Sequence, residues 1–107
     1  MNGVEEITVR QLKGQIERGK VPVLLDVREQ CEYDIVNLNG ILIPLDQLPA
    51  RVKELDVTAE TVVYCHHGRR SWYAAEFLQQ QGFTRVKSLA GGIDAWSEQI
   101  DPSMPRY

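Results

Sequence analysis

The chain has 107 residues, 43% of them hydrophobic and 25% charged, which is the balance of an ordinary globular protein and enough chain to bury a core without disulfide staples. Its net charge of −3 argues against a general nucleic-acid binder, which needs a basic face for phosphate. No apolar run approaches the length of a transmembrane helix, and Met1-Asn2-Gly3-Val4-Glu5-Glu6 lacks the basic and apolar regions of a signal peptide, so a cytoplasmic protein with no membrane association is expected.

In chain order, Ile7-Thr8-Val9 reads as a short strand. Arg10 to Arg18 reads as a helix, with Leu12 and Ile16 four apart on one face and Gly19 as its stop. Val21 to Val27 is apolar and β-branched without clean alternation, the pattern of a strand buried on both faces. Glu29 to Val36 reads as a short helix, and Ile41-Leu42-Ile43 as a strand ended by Pro44. Leu45, Leu48, Val52 and Leu55 have helical spacing, but Pro49 falls among them and favours two short turns over one helix. Thr61 to Cys65 is a second buried-type strand. It is followed by a helix over Ser71 to Gln81, with Trp72, Ala75, Phe77 and Leu78 on its apolar side and Gly82 at its close. Thr84 to Leu89 is the last strand, and a final helix follows Gly91-Gly92 through Ile93 and Trp96. Trp72, Phe77 and Trp96 suit core packing. The tail from Asp101 to Tyr107 holds two prolines and reads as extended. No repeat or linker interrupts the pattern, so residues 1–107 are expected to form one domain, a monomer by default at this size.

Strands separated by helices imply an α/β fold with a mainly parallel sheet, in which ligands bind at the carboxyl ends of the strands. Cys65 stands at such an end. The loop after it, His66-His67-Gly68-Arg69-Arg70, leads into a helix near Ser71. Backbone N–H groups of a short glycine-containing loop can curl inward and meet a helix N-terminus, which makes an anion cradle. Arg69 and Arg70 add positive charge. Each feature favours a thiolate, and a thiolate is a nucleophile. His66 and His67 are expected to contribute main-chain N–H groups, with their rings facing solvent or meeting substrate. Two cysteines make no disulfide framework. Cys31, beside Glu29 and Glu32, is expected to be a spectator. Cys65, His66 and His67 are adjacent in sequence, unlike the spacing of a zinc site, so no metal is expected, and no feature requires another cofactor.

The loop Cys65-His66-His67-Gly68-Arg69-Arg70-Ser71 resembles the Cys-x-x-Gly-x-Arg-Ser loop of single-domain rhodanese sulfurtransferases. Three further segments resemble that family: Leu25-Asp26-Val27-Arg28-Glu29 with Glu32-Tyr33, Gly40 to Leu45, and Leu89-Ala90-Gly91-Gly92-Ile93-Asp94-Ala95-Trp96. Four such motifs in order cover nearly the whole chain. The resemblance implies a five-stranded, mostly parallel sheet flanked by helices on both faces. It implies that Cys65 takes sulfane sulfur as a persulfide from a donor such as thiosulfate and passes it to a thiophilic acceptor such as cyanide or a thiol. His66 through Ser71 would then bind the substrate. Asp26 and Arg28 would support the loop, or simply form a structural ion pair. Asn37-Leu38-Asn39-Gly40-Ile41 departs from a family pattern of His-Ile-x-Gly-Ala, which removes a histidine. The tail resembles rhodanese domains fused to adenylating enzymes that activate sulfur-carrier proteins, which implies a protein acceptor. The competing readings are a persulfide sensor without turnover, an interaction module, and a phosphatase or arsenate reductase of the same fold. The last pair use one more residue between cysteine and arginine.

Overall fold

The computed structural model describes residues 3–107. Five strands form one sheet: β1 (Glu6–Ile7), β2 (Val23–Asp26), β3 (Ile41–Leu42), β4 (Thr61–Tyr64) and β5 (Val86–Leu89). Their order is β1-β5-β4-β2-β3 and every pairing is parallel. The helices are α1 (Val9–Glu17), α2 (Gln30–Ile35), α3 (Leu48–Arg51), α4 (Arg69–Gln80) and α5 (Gly92–Gln99). This is the α/β architecture that the alternating pattern implied, with no antiparallel strand among the described residues.

The central strand explains where the chemistry sits. All four residues of β4 are buried. Val63 and Cys65 face one core with Leu25, Ala74, Ala75 and Leu78, while Val62 and Tyr64 face a second core with Leu12, Leu89 and Ile93. A strand covered on both faces must be apolar on both, hence the unbroken run. Asp26 pairs in register with Tyr64, so the turns after β2 and β4 emerge side by side at the carboxyl edge of the sheet.

Several boundaries differ from the sequence expectation. Val9 belongs to α1, not to the first strand. Thr8 caps that helix by accepting from the Gln11 N–H, and the Gln11 side chain returns the bond to the Thr8 N–H, so reciprocal capping overrides the β-branched propensity of the segment. The stretch after Pro44 breaks into a 3₁₀ turn at Leu45–Gln47, the single α turn of α3 around Pro49, and a second 3₁₀ turn at Val52–Glu54. The tail is not simply extended: it turns at Asp101 to Ser103, packs Met104 against the second core, and returns to the sheet edge. Among the described residues, no helix is long and apolar enough to cross a membrane.

Candidate active site

Cys65 is 1% exposed, one residue past the end of β4. Its Sγ accepts the N–H of Gly68 at 3.1 Å and the N–H of Ser71 at 3.3 Å. Ser71 is the third residue of α4, so the sulfur occupies the place where an N-cap side-chain oxygen would satisfy a free amide of the first turn. The Ser71 hydroxyl lies 3.5 Å from the same sulfur and 2.8 Å from the hydroxyl of Ser88 on β5. Donors aimed at one atom at the positive end of a helix stabilise negative charge on it.

The loop bends around the sulfur because its carbonyls are held on the opposite side. Cys65 O accepts the N–H of Ile93 at 2.9 Å, and His66 O accepts the N–H of Asp94 at 3.0 Å. The first turn of α5 therefore takes the carbonyls, while the Gly68 amide turns to the sulfur. Gly68 completes the turn at φ +104°, a conformation that side chains resist. α4 thus begins at Arg69, two residues before the apolar periodicity indicated.

The other expected residues, the amides of His66, His67, Arg69 and Arg70 included, make no hydrogen bond to the sulfur among the described residues. Arg70 turns aside, and its Nη1 and Nη2 donate to the two carboxylate oxygens of Glu32 at 2.7 and 2.8 Å. Arg69 is exposed and lines a shallow recess with Gly68, Trp72 and Tyr73. Trp72 is only half-buried here, not a core residue: it lines that surface recess. Phe77 and Trp96 do pack against the two cores.

Asp26 and Arg28 are both fully buried and form a two-pronged pair, with Arg28 Nη2 2.6 Å from Asp26 Oδ2 and Nε 2.9 Å from Oδ1. Arg28 also donates to the carbonyls of Glu32 and Val36 and to the Tyr107 hydroxyl. Every donor of the guanidinium is used, as its burial requires. The pair does not touch Cys65. It fixes α2 and, through Tyr107, one wall of the loop. The departure at Asn37 is structural: Asn37 Oδ1 accepts the Asn39 N–H and its Nδ2 donates to Tyr33 O, which shapes the turn into β3.

Tyr107 joins the site without any signal in the sequence around it. Its ring stacks on His66 with centroids 3.8 Å apart and planes 8° from parallel. Its hydroxyl donates to Glu32 at 2.9 Å. On the other face of His66 lies the His67 ring, also 3.8 Å away. Arg106 grips Asp94 with two bonds of 3.0 Å. Local spacing carries no sign of the Tyr107 contacts, which join residues 41 and 75 positions apart.

His66, His67 and Asp94 each bring one potential ligand atom within 4.8 Å of the others. The two imidazoles lie one over the other, so their in-plane lone pairs do not converge on one ion unless a ring turns, and the Asp94 carboxylate is already held by Arg106. Cys31 is exposed on α2 and unbonded.

The electrostatics predict a two-stage acid sensitivity. Burial and the neighbouring His67 hold His66 below its ordinary value of 6.5. Such a group binds its proton more readily unfolded, so stability falls as pH drops below about 6.5. The Arg70 guanidinium lowers Glu32 from 4.5 to about 2. Its contribution is present above 4.5 and is lost as pH falls from there toward 2. Thermal melts should therefore show a first decline below about pH 6.5, diminished in His66→Asn, and a second below about pH 4.5, diminished in Glu32→Gln. Identical pH profiles for wild type and both variants would contradict this.

Comparison with known proteins agrees with the geometry. Residues 8–99 match the rhodanese-like domain. The chain is 40% identical to an adenylyltransferase and sulfurtransferase, uba4 of Ogataea parapolymorpha, over 96% of its own length and 26% of that protein. It thus spans about a quarter of that curated relative. The structure of a rhodanese-related protein from Thermoplasma volcanium superposes with a TM-score of 0.80 at 33% identity, covering 94% of this chain and 95% of that one. An NAD-dependent persulfide reductase from A. fulgidus matches at 38% identity and a TM-score of 0.69, covering 87% of this chain and 16% of that one. With the parallel sheet, the cysteine loop and the match over residues 8–99 in agreement, this chain belongs to the family of rhodanese-like domains.

Proposed function

We propose that the chain is a sulfurtransferase in which Cys65 carries a sulfane sulfur as a persulfide. The observation that carries this reading is the Cys65 sulfur held by the Gly68 and Ser71 amides at the start of α4. In the first step the thiolate attacks the sulfane sulfur of a donor, thiosulfate or a persulfide. The Sγ–S bond forms, the donor's S–S bond breaks, and sulfite or a thiolate leaves with the electron pair. In the second step a thiophilic acceptor attacks the outer sulfur. The Sγ–S bond breaks and its electron pair returns to Sγ. No net oxidation of the protein occurs. The amides of His66, His67, Arg69 and Arg70, which make no bond to Sγ, are the donors left for the second sulfur.

The similarity to an adenylyltransferase and sulfurtransferase supports sulfur transfer in general and favours a sulfur-carrier protein as acceptor, with small thiols or cyanide as simpler ones. The same reading places a monomeric domain in a reducing compartment such as the cytoplasm, where Cys31 and Cys65 stay free.

The test is to treat the protein with thiosulfate and read its mass. One added sulfur, mapped to the peptide containing Cys65 and released as thiocyanate by cyanide, is the expected result. No sulfur on Cys65 from thiosulfate or a persulfide, with hydrolysis of an aryl phosphate instead, would overturn the reading in favour of a phosphatase.

A further inference from the structure

Two arginines follow Gly68 at the start of α4, but the structure leaves only one of them uncompensated. Glu32 binds Arg70 through both carboxylate oxygens. The same carboxylate accepts the Tyr107 hydroxyl and the Glu29 N–H, the latter as part of the capping box of α2, so it is fixed from three directions. It is also largely covered, with its side chain 16% exposed. Across the loop, Asp94 and Arg106 cancel each other. Arg69, exposed in the recess beside Trp72 and Tyr73, makes no ion pair among the described residues. Of the two adjacent arginines that follow the cysteine loop, therefore, only Arg69 keeps a free charge among the described residues.

We propose that Glu32 determines donor specificity: by engaging Arg70 it fits the site to an alkyl persulfide, with at most one negative charge on its two sulfurs, over the dianionic thiosulfate. This rests on the persulfide reading above and names the donor class within it. Attack by a thiolate on thiosulfate gathers three negative charges at the loop, whereas attack on a persulfide gathers two at most. The third charge needs a second free cation, and Glu32 has taken it. The step itself is balanced as before: Sγ–S forms, the donor's S–S bond breaks, and the departing thiolate keeps the electron pair and takes a proton from water.

The test is the rate of sulfur loading onto Cys65, followed by intact mass in single-turnover reactions against increasing thiosulfate or cysteine persulfide. Wild type should load faster from the persulfide at equal concentration. Glu32→Gln preserves the shape of the side chain and removes its charge. It should raise the efficiency of thiosulfate about tenfold, mainly by lowering the half-saturating concentration and with a steeper loss in salt, and change the persulfide rate less than about threefold. Adding Arg70→Gln should cancel the gain, and Glu32→Asp, which keeps the charge, should retain the wild-type ratio. Loading with an unchanged donor ratio in Glu32→Gln, or an equal fall with both donors, would overturn this inference and leave Glu32 a structural staple of α2. Loading from neither donor would overturn the sulfur-transfer reading with it.

Discussion

Replacing Cys65 with serine is expected to abolish sulfur loading and lower sulfur transfer by roughly three orders of magnitude or more, with little effect on the fold. An alcohol at the end of β4 is not ionised at neutral pH and does not hold a sulfane sulfur. The loop should nonetheless keep its shape. Its curvature comes from the bonds of the Cys65 and His66 carbonyls to α5, none of which involves the sulfur. The serine hydroxyl would also inherit the Gly68 and Ser71 amides as donors, so the buried polar atom is not left unsatisfied, and the stability change should stay within about 1 kcal/mol. Transfer activity, intact mass after donor treatment and a thermal melt together check this. Sulfur remaining on the variant would map to Cys31, the one other thiol in the sequence, and would mean that the exposed cysteine of α2 is not a spectator.

The contrast between Cys65 and Tyr107 shows what the sequence could and could not disclose. Cys65 is legible because everything that defines it is local: a β-branched buried strand, a glycine that permits a left-handed turn, and a helix start, all within Thr61 to Ser71. The sheet follows for the same reason, since each strand and helix carries its own period. Where two local signals compete, the reading slips. Val9 is β-branched, yet the Thr8–Gln11 capping box draws it into α1. Trp72 shares the spacing of Ala75 and Leu78, yet its side chain lines a surface recess with Arg69 and Tyr73. Arg70 is the more instructive case. Its place in the loop pointed at the substrate, and its side chain answers to Glu32 on another helix. Charge compensation depends on what the fold brings alongside, and neither that pair nor the Tyr107 ring on His66 leaves any periodic trace.

Replacing Gly92 with alanine is expected to be the most damaging change of a single methyl group in the molecule. Gly92 opens α5 at φ +63°, a conformation that costs an alanine about 1–2 kcal/mol. The added Cβ would come to about 2.5 Å from Cys65 O, 2.4 Å from His66 O and 2.6 Å from His66 C. All three are backbone atoms with no rotamer to move aside, so α5 must retreat from the loop, at a further cost of roughly 1–3 kcal/mol. Retreat stretches the bonds from Ile93 and Asp94 to those same carbonyls, which anchor the loop that carries the Gly68 amide to the sulfur. Stability should thus fall by about 2–5 kcal/mol. Sulfur loading should fall as well under conditions where the variant is still folded, because the cradle loses the force that shapes it. Denaturant melts check the first effect, and loading rates at low temperature check the second. A variant that melts early but loads sulfur at the wild-type rate would show that the cradle holds its shape from α4 alone, through Gly68 and the first-turn amides, without its anchorage to α5.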